Sequence, residues 1–238
     1  MAENLLTVEG LFAGYDGQPV LRDLTFDVPK GALIALIGPN GHGKTTLMRC
    51  IAGLLKPTTG KVEFSGKKVT GLPAEEMVSR GVVLIPQGDM LFPDMSVVDN
   101  LRMGAFLPAA RAKFSENVEE IYGMLPRLKE RSSQMARTLS GGERRMLAIG
   151  RGLLSGGEIL LLDEPSLGLA PIVIDQIYEI IENLRKQGRT ILLVEESPNR
   201  IIDIADHIHL LDTGSIVWDG TGQELQAQPQ ILETYLGG

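Results

Sequence analysis

The stretch Leu33-Ile34-Ala35-Leu36-Ile37-Gly38-Pro39-Asn40-Gly41-His42-Gly43-Lys44-Thr45-Thr46 decides the fold. Five apolar residues in a row predict a strand buried on both faces, as in a parallel sheet covered on each side. Three glycines then open a loop, and Leu47, Met48, Ile51 and Ala52 recur beyond it at helical spacing. Strand, loop and helix in this order, with the spacing G-x-x-x-x-G-K-[ST], make a phosphate-binding loop. Gly38, Gly41 and Gly43 let backbone N–H groups point at one centre where side chains would block a phosphate. The following helix offers its N-terminal dipole to the same anion. Lys44 is expected to reach the β- and γ-phosphates, and Thr45 to place its hydroxyl on Mg²⁺. A glycine-rich turn with an incidental lysine would not need both flanks. The chain is therefore expected to bind a nucleoside triphosphate.

Composition narrows the setting. At 238 residues the chain suits one large domain, or one domain carrying a subdomain. Hydrophobic content of 43% with 22% charged residues is that of an ordinary globular protein. A net charge of −7 argues against nucleic acid or an anionic membrane as a broad partner. Cys50 is the single cysteine, which excludes an intramolecular disulfide and fits a reducing compartment. The opening Met-Ala-Glu-Asn has no basic and apolar leader pattern, and no apolar run approaches ~18 residues, so a cytoplasmic location is expected.

Outward from the loop, residues 5–28 read as a β-hairpin turning near Gly14–Gly17, and Pro29-Lys30-Gly31 as a turn. A short strand is expected over Lys61–Phe64, a short helix over 74–79 and a buried strand over Val82–Ile85. Residues 95–155 are rich in Met, Leu, Ala, Arg and Glu at helical spacing, which predicts a helical subdomain inserted into an α/β core of residues 1–94 and 156–238. The core resumes at Ile159–Asp163, followed by a helix over 172–187 and a strand over Thr190–Val194. Two short strands, Ile208–Leu211 and Ile216–Trp218, and a helix near Pro229–Leu236 complete the pattern. The fold class is α/β with a mostly parallel sheet and an N-terminal antiparallel β subdomain.

Two further constellations carry chemistry. Asp163-Glu164 follows four apolar residues, which places carboxylates at the C-terminal end of a buried strand, beside the phosphate loop. Asp163 is suited to holding Mg²⁺ through water, and Glu164 to orienting and polarising an attacking water. Leu139-Ser140-Gly141-Gly142-Glu143 reads as a helix N-cap with Glu143 three residues on. Such a terminus, with two glycines exposing N–H groups, is also an anion site. One chain needs one γ-phosphate cradle, so this second site suggests a nucleotide held between two copies.

The ordered set resembles the ATP-binding subunits of ABC (ATP-binding cassette) transporters over essentially the whole chain. The carriers are the loop at 38–45, Gln87 after Pro86, the signature Leu-Ser-Gly-Gly-Glu at 139–143, and Leu160–Pro165. The resemblance implies the ABC ATPase fold, ATP and Mg²⁺ as ligands, and a head-to-tail dimer. In that dimer Ser140–Glu143 of one chain close on ATP held by Gly38–Thr46 of the other. It implies that Tyr15 stacks on adenine, and that Gln87 senses Mg²⁺ and the γ-phosphate and faces membrane subunits. It further implies a location peripheral to the cytoplasmic face of the inner membrane, through permease subunits served by a substrate-binding protein. Met90, Leu91, Phe92, Met95, Met103 and Phe106 could offer those subunits an adaptable apolar surface, or could equally be core.

Within the family, Asp163–Pro171, Leu147–Arg151 and the closing Tyr235-Leu236-Gly237-Gly238 are similar to branched-chain amino acid importer ATPases. Glu143-Arg144-Arg145 resembles lipopolysaccharide-transport ATPases, and Pro86-Gln87-Gly88 the urea/amide importers. Glu196 departs from the family: it stands where a switch histidine is expected. An ionised carboxylate there would repel a γ-phosphate unless it turns away, is protonated or pairs with a cation. A weakly hydrolysing regulatory cassette is therefore an alternative to a full ATPase. ATPases of DNA repair or translation are disfavoured by the acidic charge and the lack of coiled-coil arms.

Overall fold

In the computed structural model, which describes residues 3–236, a long hairpin comes first in the chain: β1 (Asn4–Tyr15) and β2 (Gln18–Pro29) pair antiparallel around Asp16-Gly17. β3 (Leu33–Ile37) leads into α1 (Lys44–Ile51), and β4 (Thr59–Phe64) and β5 (Lys67–Lys68) return to the hairpin. α2 (Ala74–Ser79) and β6 (Val82–Ile85) precede the helices α3 (Val97–Gly104), α4 (Pro108–Ala112), α5 (Phe114–Met124), α6 (Pro126–Glu130) and α7 (Gly141–Leu153). The remainder alternates: β7 (Ile159–Asp163), α8 (Pro171–Lys186), β8 (Thr190–Glu195), β9 (His207–Asp212), β10 (Ser215–Gly220), α9 (Gly222–Gln226) and α10 (Pro229–Leu236). The closing Gly237-Gly238 that carries part of the resemblance lies outside the described residues.

Two sheets result. One is antiparallel in the order β2-β1-β4-β5; the other runs β10-β9-β3-β8-β7-β6, parallel from β9 to β6 with β10 antiparallel at its edge. The continuous apolar runs are explained by what lies on each side of the second sheet. Leu33, Ala35 and Ile37 face a core shared with α3, α5, α7 and α8, whereas Ile34 and Leu36 face α1 and the antiparallel sheet. Leu160 and Leu162 of β7 and Ile191 and Leu193 of β8 take the first side; Ile159, Leu161, Leu192 and Val194 take the second. Period-two side chains with both faces covered leave no polar position in a strand. The parallel strands end at one edge, which receives the loop after β3, Asp163 at the end of β7 and Glu195 at the end of β8.

Beyond the elements read from sequence, the chain forms β5 and α9. The latter is capped by Thr221, whose hydroxyl accepts from Glu224 N while the Glu224 carboxylate accepts from Thr221 N at 2.7 Å. The helices of 95–155 do not form a separate core: Val97, Leu101, Ile121, Leu125 and Leu147 belong to the same apolar cluster as β3, β7 and β8.

Candidate nucleotide site

The loop after β3 is shaped by glycine where no other residue fits. A Cβ on Gly38 would lie 2.2 Å from Leu211 O, and Gly43, the N-cap of α1, sits at φ 108° with Leu21 Cδ2 2.7 Å from where its Cβ would be. Gly38 N–H donates to Glu195 O at 3.2 Å, which ties the start of the loop to the end of β8. The backbone then wraps Lys44, which is 3% exposed. Its Nζ donates to Gly38 O at 2.7 Å and Pro39 O at 3.1 Å, and lies 3.0 Å from Glu164 Oε1. A cleft of about 190 Å³ is lined by Asn40, Gly41, Gly43, Lys44, Thr45, Thr46, Gln87 and Glu164.

The carboxylates sit at the end of β7. Thr45 Oγ1 donates to Asp163 Oδ1 at 3.2 Å. Burial pushes Asp163 above the usual carboxylate range, partly offset by that hydroxyl and by Lys44. Glu164 turns the chain at φ 45°, a left-handed conformation that costs a non-glycine residue about 1 kcal/mol or more. The turn aims its side chain inward: Oε1 meets Lys44, and Oε2 accepts from Gln87 Nε2 at 2.8 Å. Lys44, Thr45, Gln87, Asp163 and Glu164 are thus brought together. Thr45 and Asp163 supply the hard oxygen donors that Mg²⁺ prefers, so the residues present fit that ion.

Two residues not singled out from the sequence hold this centre. Arg145, 2% exposed on α7, donates Nε to Pro165 O at 3.0 Å and one terminal nitrogen to Glu164 O at 2.8 Å. Its other terminal nitrogen donates to Pro86 O at 3.0 Å and Gly88 O at 2.8 Å. One guanidinium therefore fixes the backbone on both sides of Gln87 and the turn at Glu164. The available signal was a charge on an apolar stripe, Arg145 lying between Gly142 and Ile149 on the buried face of α7. Glu195, 4% exposed, accepts Ser166 N–H at 3.0 Å and bonds Tyr178; burial pushes its carboxyl upward. It reads in sequence as the end of a strand.

The other expected residues are placed elsewhere. Ser140 caps α7 in a capping box, its N–H and hydroxyl donating to Glu143 Oε2 at 2.9 and 2.8 Å. Arg131 Nε lies 2.6 Å from Glu143 Oε1. Although burial opposes it, these contacts hold the Glu143 carboxyl below its ordinary value. Ser140, Gly141, Gly142 and Glu143 do not line the 190 Å³ cleft of their own chain. His42 turns away from it: Nδ1 accepts Thr213 N–H at 3.1 Å, and its carbonyl accepts Gly214 N–H at 3.1 Å. Tyr15 is 40% exposed at the hairpin end and its hydroxyl accepts from Arg49 at 3.3 Å. Glu196 is exposed; it does not turn from the loop, and among the described residues it meets no cation: its Oε2 accepts from Asn40 Nδ2 at 2.9 Å.

A second, apolar groove of about 840 Å³ shares Thr45 and Gln87 with the cleft, and Met90, Phe92, Met103 and Phe106 line it. Met95 lies outside this groove, in a smaller one of about 320 Å³, and Leu91 packs against the core.

The family described as ABC transporter matches residues 21–167. The branched-chain amino acid transport ATP-binding protein BraG of Pseudomonas aeruginosa is 40% identical over 234 residues, 98% of this chain and all of that protein. The probable branched-chain amino acid transport ATP-binding protein LivF of Archaeoglobus fulgidus is 34% identical over 98% of this chain and 99% of its own. Among solved structures, the ADP conformation of MJ1267, an ATP-binding cassette of an ABC transporter, superposes with a TM-score of 0.85 at 28% identity, covering both chains fully. A nucleotide-free cassette of an ABC transporter superposes with a TM-score of 0.84 at 27% identity, covering 97% of this chain and 98% of its own. With its phosphate loop, signature helix and paired acids in that common frame, the chain belongs to the family of ABC transporter ATP-binding subunits.

Proposed function

We propose that this chain hydrolyses ATP to drive import of branched-chain amino acids through membrane subunits encoded separately. The observation that carries the hydrolytic reading is the convergence of Lys44, Gln87 and Glu164 within 3.0 Å contacts at the mouth of the phosphate loop. The cargo reading is supported by full-length similarity to BraG and LivF, whose names state that transport.

In this reading Gly38–Thr46 cradle the phosphates, and Lys44 exchanges its loop carbonyls for β- and γ-phosphate oxygens. Tyr15 supports the adenine. Glu164 takes the attacking water as an acceptor, aimed by its left-handed turn, while Gln87 holds the carboxylate from the other side. Thr45, Asp163 and Gln87 would hold Mg²⁺, which supplies neutralisation of phosphate charge. Ser140–Glu143 of a second cassette, identical or related, complete the site from across a head-to-tail dimer, since they stand clear of their own cleft. The apolar groove receives the permease, and its sharing of Gln87 with the cleft links docking to chemistry. The chain would then work at the cytoplasmic face, with the 95–155 helices as its permease-facing subdomain.

The test is reconstitution with the neighbouring membrane subunits in liposomes. ATP-dependent leucine uptake that vanishes with Glu164→Gln supports the reading. Urea or amide uptake without leucine uptake overturns the cargo, and leucine uptake that persists in Glu164→Gln overturns the role of Glu164.

A further inference from the structure

The β9–β10 hairpin carries a cluster that the nucleotide chemistry does not use. His207 and His209 are two apart on β9 and so project from one face of the strand. Asp219 lies directly opposite His209 in the antiparallel register. His207 Nε2 is 3.0 Å from Asp219 Oδ2, and the two imidazole rings stand edge to face with centroids 5.0 Å apart. One ligand atom from each of the three residues lies within 4.8 Å of the other two. A histidine–any–histidine pair on one strand with a carboxylate across the ladder is a tripod: two imidazoles and one oxygen converge from two paired strands.

His209 is the unusual member. It is 8% exposed, and its Nδ1 is buried without a hydrogen-bond partner among the described residues. A buried ring nitrogen without a partner carries a cost that this packing leaves uncompensated. Phe26 closes one side of the ring at 5.5 Å between centroids. Burial and the adjacent His207 keep the imidazole neutral, its pKa down to about 4, which is the form that coordinates. Asp27 and Glu224 add negative potential nearby; the Glu224 carboxylate is already engaged by Thr221, and that of Asp27 by Thr7.

We propose that His207, His209 and Asp219 form a site for one divalent transition-metal ion of the Zn²⁺ class, separate from the nucleotide cleft, clamping edge strand β10 to β9. Two imidazoles and a carboxylate suit Zn²⁺, Ni²⁺ or Co²⁺ and discriminate against Mg²⁺, which takes oxygen donors. Bonds of about 2.0–2.1 Å place tetrahedral donors about 3.4 Å apart. The His207–Asp219 pair, at 3.0 Å, is already near that spacing, and the widest separation must close by at most about 1.4 Å, a distance within reach of side-chain rotation. The fourth position faces solvent and takes water. The ion would stiffen an edge strand that pairs with another strand on one side only, in a hairpin whose turn touches the phosphate loop through Thr213, Gly214 and His42.

The experiment uses the full chain without a histidine tag, freed of metal by chelator dialysis and titrated calorimetrically with Zn²⁺ in the presence of excess Mg²⁺ and no nucleotide. The expected result is one equivalent bound, a higher melting temperature with Zn²⁺, and visible d–d absorption of tetrahedral type with Co²⁺. His207→Ala and Asp219→Asn alter a half-buried and an exposed position and should keep the fold, so each should weaken Zn²⁺ binding at least about tenfold with unchanged circular dichroism. His209→Gln should do the same wherever it folds. No saturable Zn²⁺ binding, or binding undiminished in the His207→Ala/Asp219→Asn double variant, overturns the proposal.

Discussion

Replacing Arg145 with methionine tests the arrangement around Gln87 and Glu164 most sharply. The variant keeps the length of the buried stem and removes every donor. Four backbone carbonyls, those of Pro86, Gly88, Glu164 and Pro165, lose partners now at 2.8–3.0 Å. Hydrogen bonds from a charged donor contribute about 1.5–3 kcal/mol each, so the low end for four is about 6 kcal/mol. Against this stands the recovered cost of burying the guanidinium, whose pKa burial holds below its ordinary value; that penalty is several kcal/mol per ion. The difference leaves a net loss of about 3 kcal/mol, the lower end of what breaking a buried charged contact costs. For a chain of this size that corresponds to a fall in melting temperature of about 6–12 °C. Urea unfolding at constant m-value measures the first quantity. Steady-state ATPase measures the consequence: kcat should fall at least about tenfold, with KM for ATP nearly unchanged, because the loop holding the phosphates is anchored independently through Gly38 and Glu195. Arg145→Lys should lie between, since one ammonium offers three donors where four carbonyls wait. A variant destabilised by less than about 1 kcal/mol with wild-type kcat would refute the reasoning.

Glu196→His removes the acceptor that now holds Asn40 Nδ2 at 2.9 Å, and the carboxylate with it; ATPase of the purified chain should be preserved or raised, and a fall would show that Glu196 assists turnover. Gly38→Ala places a methyl 2.2 Å from the Leu211 carbonyl, so the loop must shift, and binding of a fluorescent ATP analogue should be lost; unaltered affinity would contradict the close approach. Asp206→Asn probes pH. Burial alone would raise Asp206, but Arg185 and the Leu33 N–H at 2.8 Å hold it below its ordinary value. A carboxyl depressed by folding stabilises above its unfolded pKa of about 4, and that contribution disappears as pH falls through the lower folded value. The stability gap between wild type and variant should be widest above pH ~5 and close in more acidic solution, which urea denaturation at a series of pH values measures.

What was legible in the sequence was local. Leu33–Ile37, Val82–Ile85 and Ile159–Asp163 are strands because unbroken apolar runs of four or five residues have nowhere to go but a sheet covered on both faces. Lys44, Thr45 and the loop glycines were readable because strand, loop and helix follow one another without a break, so the whole pattern lies in one continuous stretch. Arg145 was not, because its partners are carbonyls 19 to 59 residues away, and backbone oxygens leave no trace in a sequence. Glu196 meeting Asn40 joins residues 156 apart, so a mismatch with the family pattern could be read but its resolution could not. Thr221-x-x-Glu224 carries a capping signature, yet α9 is only five residues long, too short for a periodic pattern to mark it.

The alternation of β3 between two cores has a consequence for accuracy. Its five side chains are gripped from opposite sides by unlike surroundings, helices against one set and a second sheet against the other. Sliding the strand by a single residue would exchange the two sets and carry the segment after it about 3.3 Å along the sheet, more than a hydrogen bond tolerates. Where the peptide groups of Gly38–Thr46 come to rest is thus dictated by methyl groups that never meet a phosphate. Tolerance of the nucleotide loop to change should depend as much on the fit of Ala35 and Leu36 as on the loop's own residues.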